Sequence, residues 1–268
     1  YVELKDSAVE RELLMNITEE QLKLMADIEC DKMRRMQAYI GIRGDENSAE
    51  LSDVPEEKLK MYSVNFTRPV NDIRVPHTKW VVLRYPTNSM AQSANMSLEA
   101  FEDYFYNVCN LDYGKMNDAM DSLKSLMERT DKVRITGKDT DISFSIKSIP
   151  AVKCAGECNI PDGEVYTAPV KNSINGKITY NTPSEYNSFT FENVSLTFKD
   201  GKIIDCTAND TERITKIFDT DEGARYVGEF AIGVNPYITS PMNNILFDEK
   251  IMGSIHFTPG QCYEDAPN

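Results

Sequence analysis

The stretch Ile142-Ser-Phe-Ser-Ile-Lys147 marks the point at which the hydrophobic pattern of this chain changes. Its apolar side chains alternate with polar ones, and Val194-Ser-Leu-Thr-Phe-Lys199 repeats that alternation. A period of two places the apolar side chains on one face of a β-strand. Asn175-Gly176 and Asp200-Gly201 are dipeptides typical of two-residue hairpin turns. Residues 132–268 are therefore predicted to form an antiparallel, β-rich domain, either a curved sheet or a barrel.

The preceding part of the chain alternates predicted helices with predicted strands. Capping-box spacing between Thr18 and Gln21 indicates the start of the first helix. The predicted elements are a helix from Thr18 to about Gln37, a strand over 38–42, a helix from Asp53, a strand over 79–84, and helices over 97–110 and 113–129.

This order is typical of a parallel α/β unit. Two strands are too few for a complete sheet, so further strands are expected upstream of Tyr1. We therefore predict an α+β fold. It has a partial α/β N-terminal domain over residues 1–120 and a β-rich, curved-sheet or barrel-like domain over residues 121–268.

Composition excludes several classes of partner. The net charge of -14 argues against nucleic-acid binding, which requires a basic face. No apolar run approaches the roughly 18 residues that a membrane helix needs. The six cysteines include no Cys-x-x-Cys pair, so a zinc ribbon is not expected. We expect unpaired thiols in a reducing cytoplasm. Compact phosphate-loop, nucleophile-elbow and His-Glu-x-x-His motifs are absent from the sequence.

The residues that could carry chemistry are mostly carboxylates. Glu164 follows a Pro-Asp-Gly turn and begins an apolar strand, and Glu229 precedes Phe-Ala-Ile-Gly. Side chains at the ends of separate strands can converge. His256 is one of only two histidines, so a metal or acid/base site here would be built mainly from acids. Taken singly, each of these residues is more often structural, and Asp248-Glu249-Lys250 is typical of an exposed turn.

Three blocks together resemble the thermophilic aminopeptidase family, of the aminopeptidase T and aminopeptidase S type. The blocks are Pro161-Asp-Gly-Glu-Val-Tyr-Thr-Ala-Pro169, Gly228-Glu-Phe-Ala-Ile-Gly-Val-Asn-Pro236, and Asn244-Ile-Leu-Phe-Asp-Glu-Lys-Ile251 followed by His256 and Tyr263. The resemblance implies a cytoplasmic, homodimeric metallo-aminopeptidase that releases N-terminal amino acids from peptides with a free N-terminus. It also implies a site with two divalent metal ions, zinc, cobalt or magnesium, and a metal-bound water.

The resemblance assigns roles to five residues. Glu164 matches a carboxylate metal ligand, and Glu229 matches the acid that bridges the two metals and takes part in catalysis. Glu249 matches a further acidic ligand near the site. His256 matches an imidazole ligand, and Tyr263 matches a catalytic tyrosine that would donate a hydrogen bond to the developing oxyanion.

One departure from the family leaves an alternative open. The family completes its metal site with a His-x-Asp pair near the C-terminus, whereas this sequence stops at Asp265-Ala-Pro-Asn268. The domain over residues 121–268 is therefore expected to be incomplete at its end, and this chain alone is expected to bind metal weakly or be inactive. The alternative is a non-catalytic peptide- or protein-binding module that keeps the fold. A third interpretation, a β-rich carbohydrate-binding domain with a structural cation, is disfavoured by the single tryptophan.

Overall fold

The computed structural model of the chain describes residues 1–186 and 189–268. Its helices are α1 (Ser7–Asn16), α2 (Glu19–Met33), α3 (Glu56–Tyr62), α4 (Arg68–His77), α5 (Asn88–Ser93), α6 (Leu98–Cys109), α7 (Tyr113–Glu128), α8 (Thr211–Phe218) and α9 (Ile245–Asp248), with a π-helical segment at Ser63–Thr67. Its strands are β1 (Ala38–Arg43), β2 (Lys79–Arg84), β3 (Lys132–Gly137), β4 (Thr140–Ser145), β5 (Val152–Cys154), β6 (Asn159–Ile160), β7 (Glu164–Thr167), β8 (Asn175–Thr179), β9 (Ser184–Tyr186), β10 (Phe189–Phe191), β11 (Ser195–Lys199), β12 (Lys202–Thr207), β13 (Val227–Gly233) and β14 (Ile255–Pro259).

The N-terminal region is built on a small parallel sheet. Strands β1 and β2 run parallel in a register that joins Ala38 to Lys79 and Arg43 to Arg84. Helices α2 and α4 cover this sheet through a buried cluster that contains Met33. The third strand, β6, comes from much later in the chain and pairs parallel with β2. One short segment of the predicted second domain therefore extends the sheet of the first, while the division at residue 120 stays a prediction.

Two antiparallel sheets form the rest of the fold. One has five strands in the order β12-β11-β8-β4-β3, and the other has four strands in the order β14-β13-β7-β5. Phe144 of the larger sheet lies with its ring centroid 5.0 Å from that of Phe230 and 4.9 Å from that of Phe257, both on the smaller sheet. These rings belong to the main hydrophobic core, which also buries the methionine face of α7. One face of the four-stranded sheet is thus committed to the core.

A second cluster attaches the segment after β13 to the N-terminal helices. Phe247 of α9 is fully buried, and its ring centroid lies 5.9 Å from that of Phe105 on α6. Ile238 and Met242 belong to the same cluster. This packing fixes the short helix α9, and therefore the residues that follow it.

The structure confirms the α+β class and corrects several local predictions. The sheets formed by the described residues are open, so the barrel alternative is wrong. Asp200-Gly201 forms the predicted turn between β11 and β12, with positive φ at both residues. Asn175-Gly176 is not a hairpin turn: it begins the central strand β8, where a Cβ on Gly176 would lie 2.2 Å from the carbonyl oxygen of Asp141. That glycine is needed for close approach of strands rather than for a turn.

Helix boundaries differ modestly from the expected ones. The capping box at Thr18 is present, but α2 ends at Met33 rather than near Gln37. The helix expected from Asp53 begins at Glu56, after Pro55. No helix among residues 1–186 and 189–268 has the length and hydropathy needed to cross a membrane.

Candidate metal centre

The candidate centre lies on the face of the four-stranded sheet opposite the core. Strand β13 runs through the middle, with the small residues Ala231 and Gly233 on that face. A Cβ at Gly233 would lie 2.3 Å from the carbonyl oxygen of Ile251, so this glycine lets the segment that carries Lys250 approach the sheet. His256 of β14 pairs with Ala231, and Glu164 of β7 pairs with Gly233. Glu229 lies two residues before Ala231 and therefore shares its face. Three neighbouring strands thus direct one imidazole and two carboxylates into the same space.

The distances between these side chains fit a bound cation. Nε2 of His256 lies 3.1 Å from Oε2 of Glu164 and 3.2 Å from Oε1 of Glu229. The three ligand atoms all lie within 4.8 Å of one another. A tetrahedral metal with ligand bonds of about 2.0–2.2 Å separates its ligand atoms by roughly 3.3–3.6 Å. Small adjustments of these side chains would therefore place all three on one ion.

Buried atoms without hydrogen bonds support the same interpretation. Oε2 of Glu164 is buried and accepts no hydrogen bond, because the contact between Nε2 of His256 and Oε1 of Glu229 has the hydrogen-bond geometry instead. Nδ1 of His256, on the side of the ring away from the two carboxylates, is also buried without a partner. A histidine that binds metal through Nε2 ordinarily uses this atom to bind a second group. Such orphaned polar atoms are rare in native proteins and mark positions where an ion or water binds.

The imidazole of His256 lies between two carboxylates that change its pKa. Burial alone would lower the pKa of His256, but its contacts with Glu164 and Glu229 outweigh that effect and raise the pKa to about 10. Burial would raise the pKa of Glu164, whereas the imidazole of His256 and the ammonium of Lys250 lower it to about 2. At neutral pH the metal-free centre therefore holds an imidazolium between two carboxylates, and an incoming metal must displace that proton.

A fully buried lysine forms the second half of the cluster. The side chain of Lys250 reaches Oε1 of Glu164 at 2.5 Å, Oε1 of Glu249 at 2.7 Å and Oδ1 of Asp162 at 3.7 Å. Burial would lower the pKa of Lys250, but the charges of Glu164 and Glu249 raise it well above its usual range. The lysine therefore remains charged, and it neutralises Glu249, Asp162 and the oxygen of Glu164 that does not contact His256.

The turn before β7 is held by Asn235. The side chain of Asn235 donates to the carbonyl oxygen of Asp162 at 2.8 Å, and its backbone N–H donates to the carbonyl oxygen of Lys250 at 3.1 Å. Gly163 has φ of +136°, and a Cβ there would lie 2.9 Å from the Cβ of Asn235. Burial raises the pKa of Asp162 to about 6. One fully buried amide thus joins the segment that carries Glu164 to the segment that carries Lys250.

The remaining predicted residues lie at the edge of the centre. Glu249 contacts it through Lys250, and within the described part of the chain it is not in the group of three close ligands. Burial raises the pKa of Glu249. Tyr263 is half exposed, and its ring centroid lies 5.3 Å from that of Tyr166, whose hydroxyl donates to Asp265. Partial burial and the charges of Glu229 and Glu249 raise the pKa of Tyr263 to about 12, so its hydroxyl stays a hydrogen-bond donor at neutral pH.

Sequence reasoning missed three residues of this cluster, two of them buried and charged. Lys250 was expected in an exposed turn, but it is fully buried, so that prediction is wrong. Asp162 was expected to be only a turn residue, yet it is 1% exposed. Cys154 lies directly opposite Glu164 on β5 and close to Asp162. The available signal was the apolar context Ile-Leu-Phe before Asp248, because a turn that follows a buried helix can itself be buried.

Several curated proteins are similar to part of this chain. Aminopeptidase 2 of Geobacillus stearothermophilus is 37% identical over 110 residues, which are 39% of this chain and 26% of the relative. Aminopeptidase AmpS of Bacillus subtilis (strain 168) is 38% identical over 113 residues, which are 39% of this chain and 26% of the relative. Aminopeptidase T of Thermus thermophilus is 31% identical over 112 residues, 40% of this chain and 27% of the relative. The aligned segments thus span about a quarter of the length of these relatives.

A solved structure and a family profile are also similar to this chain, over nearly its whole length. The structure of wild-type AmpT from Thermus thermophilus superposes with a TM-score of 0.83 at 20% identity, covering 98% of this chain and 73% of that one. This comparison shows the same fold. The sequence profile described as Thermophilic metalloprotease (M29) matches residues 1–268. The chain belongs to the thermophilic metalloprotease family M29.

Proposed function

We propose that the protein is a metal-dependent aminopeptidase, an exopeptidase that hydrolyses peptides from a free N-terminus. The observation that carries this proposal is the convergence of Glu164, Glu229 and His256 on one sheet face, with ligand atoms within 4.8 Å of one another. Membership of a metalloprotease family implies a divalent metal, and these residues supply a matching donor set. The relatives described above are all named aminopeptidases.

The proposed centre holds two divalent ions, zinc, cobalt or magnesium. Glu229 would be shared between them, and Glu164, His256 and Glu249 would supply the remaining ligands. Divalent metal in such a site supplies a Lewis acid and lowers the pKa of a water molecule. A donor set rich in oxygen with one imidazole binds transition metals less tightly than a thiolate set does. We therefore expect exchangeable metal and activation by added cation.

The protein's own residues supply orientation and hydrogen bonding. Lys250 would keep Glu164 and Glu249 charged and in place, because it contacts one oxygen of each at 2.5 and 2.7 Å. The hydroxyl of Tyr263, protonated at neutral pH, would donate a hydrogen bond to the oxygen that becomes negatively charged during attack on the scissile carbonyl. The substrate's free α-amine would bind at one of the metal ions or at a carboxylate of the centre, which restricts cleavage to the N-terminal residue.

The family resemblance also supports a cytoplasmic homodimer. The net charge of -14 supports peptides rather than nucleic acids as partners, because an acidic surface repels phosphates. Size-exclusion chromatography with light scattering tests the dimer, and a monomer at micromolar concentration would contradict it.

The test uses the full-length protein, metal analysis and a peptidase assay. Wild-type protein supplied with zinc, cobalt or magnesium should cleave leucyl-p-nitroanilide and short peptides. Glu229→Gln should lose at least about a hundredfold in kcat/KM, because one of the shared metal ligands is removed, while its circular dichroism spectrum stays unchanged. Full activity in that variant would remove Glu229 from the site. A folded wild-type protein that binds peptides but cleaves none with any of the metals would favour the non-catalytic binding module.

A further inference from the structure

Two arginines lie side by side at the carboxyl end of the parallel sheet. Arg43 is the last residue of β1 and Arg84 is the last residue of β2, and the two are paired in register. In-register residues of neighbouring parallel strands project to the same face, and adjacent strands lie about 4.8 Å apart. The two guanidinium groups therefore extend from the same edge of the sheet. Ligands of open α/β sheets bind at this edge, outside the carboxyl ends of the strands.

Neither guanidinium forms an ion pair with a carboxylate in the described part of the chain. Other arginines of the chain, such as Arg134 and Arg225, form ion pairs with aspartates at 2.8 and 2.6 Å. Within residues 1–186 and 189–268, no hydrogen bond or ion pair joins the side chain of Arg43 or Arg84 to an acceptor, and Nε of Arg84 is buried without a partner. Burial and the like charge of Arg43 lower the pKa of Arg84. Three acids act on Arg84 only from a distance, without a direct ion pair, namely Asp45, Glu185 and Glu249. Two adjacent cations, Arg43 exposed and Arg84 partly buried, therefore form a site that favours an anion.

The arginine pair lies near the candidate metal centre. Leu83, the residue before Arg84, pairs with Ile160 of β6. From Ile160 the chain runs four residues to Glu164, a span of at most about 14 Å even when fully extended. The acids whose charges act on Arg84 include Glu249, which is itself joined to the centre by Lys250. The acidic side chains of the metal centre and the positively charged arginine pair therefore lie close to each other in the fold.

We propose that Arg43 and Arg84 bind a carboxylate of the peptide substrate whose free α-amine lies at the centre of Glu164, Glu229 and His256. This inference rests on the proposed function and adds a substrate class to it. The Cα atoms of Arg84 and Glu164 are separated by that four-residue span plus one strand spacing and one residue, at most about 23 Å. A peptide spans about 3.5 Å per residue, so short peptides of up to about six residues can reach both sites. The carboxylate comes either from the C-terminus of such a peptide or from an acidic side chain near the scissile bond. Arginine forks bind both through two parallel hydrogen bonds.

Matched substrates separate the two sources. Full-length, metal-loaded protein is assayed with Leu-Gly-Gly and its C-terminal amide, and with the amides of Leu-Gly-Asp and Leu-Gly-Asn. A charge-assisted contact predicts that the carboxylate member of one pair has a kcat/KM about ten- to a hundredfold higher than its neutral partner. Preference within the first pair identifies the C-terminal carboxylate, and preference within the second pair identifies the side chain.

Variants then assign the preference to the arginines. Arg84→Gln should reduce the carboxylate-to-amide ratio of kcat/KM to about one, and Arg43→Gln, at an exposed position, should reduce it in part. Arg129→Gln is the matched control at an exposed helix end, and it should keep the wild-type ratio. If wild-type protein cleaves all four peptides with equal kcat/KM, or if both arginine variants keep the wild-type ratio, the inference is wrong while the proposed function stands. If wild-type protein cleaves none of them, the proposed function itself fails.

Discussion

Replacing Lys250 by methionine should strongly destabilise the metal-free protein. The substitution keeps an unbranched side chain of similar length but removes the charge that contacts Glu164 at 2.5 Å, Glu249 at 2.7 Å and Asp162 at 3.7 Å. The lysine is fully buried, and Glu164 is 5% exposed, so water cannot replace the lost partner. Glu164 would keep only its contact with His256, and Glu249 and Asp162 would lose their nearest cation.

The size of the effect follows from the burial of the charges. Removing one partner of a buried ion pair costs about 3–5 kcal/mol in free energy of unfolding. That is a large share of the 5–15 kcal/mol that typically separates folded from unfolded domains. The folded variant recovers part of the loss in the pH range in which one of its carboxyl groups holds a proton that the same group has lost in the unfolded chain. In that range, stability should rise by about 1.4 kcal/mol for each unit by which the pH is lowered.

Guanidinium chloride unfolding of the full-length protein in EDTA, at pH 8 and at pH 5.5, measures this effect. Lys250→Met should be destabilised at both values and less so at pH 5.5. The control is Lys216→Met, at an exposed lysine that pairs with Glu212 on α8, and it should unfold at the wild-type denaturant concentration. If Lys250→Met unfolds at the wild-type midpoint at pH 8, or if its deficit does not shrink at pH 5.5, the reasoning about a buried counter-charge is wrong.

Three further predictions concern the centre and the core. The pKa of His256 is raised to about 10, so its stabilising contribution is complete below about pH 6.5 and is lost as the pH rises through 10. In EDTA, the free energy of unfolding of the wild-type protein should therefore fall between pH 6.5 and 10 more steeply than that of His256→Gln. Parallel curves for the two proteins would contradict this. Metal binding at pH 7.5 should release about one proton, because this imidazolium must lose its proton to bind metal; calorimetry in buffers of different ionisation enthalpy measures the release, and zero release would count against His256 as a ligand. Phe257→Ala should lower the free energy of unfolding by about 3–5 kcal/mol, because the ring is 2% exposed and packs against Phe144 and Phe198; urea denaturation measures the loss, and a change below 1 kcal/mol would contradict the packing.

The alternation of apolar residues was sufficient to predict the core strands. Ile142 and Phe144 lie in β4 with their side chains buried, as the period of two predicts. This pattern is local, since burial of one face depends only on side-chain direction along a strand. The dipeptide Asn175-Gly176 predicts a turn that does not form, because its position depends on a non-local contact. Its glycine is required by the approach of β4, a contact between distant segments that no local pattern records.

The acids of the centre were predicted with the same mixed success. An acid at the start of an apolar strand is unusual, and this pattern points to Glu164 and Glu229 in the sequence. The structure brings both to one face with His256. Lys250 was missed because a lysine beside two acids in sequence is ordinarily exposed. Its burial depends on Asn235 and on the packing of Phe247 against α6, which are tertiary contacts. The arginine pair, too, becomes visible only when the register of β1 and β2 is known.

The order of strands β7, β13 and β14 has a consequence for folding. Lys250 and Glu164 are 86 positions apart in the chain, and even His256 and Glu229 are 27 apart. Closing such long loops is slow, because the entropy of the intervening chain is lost before any contact compensates for it. The ligands therefore meet only after β13 has paired with both of its neighbours. A metal ion can stabilise the finished sheet but cannot guide its early assembly, so added metal should slow unfolding of the protein while leaving its refolding rate nearly unchanged.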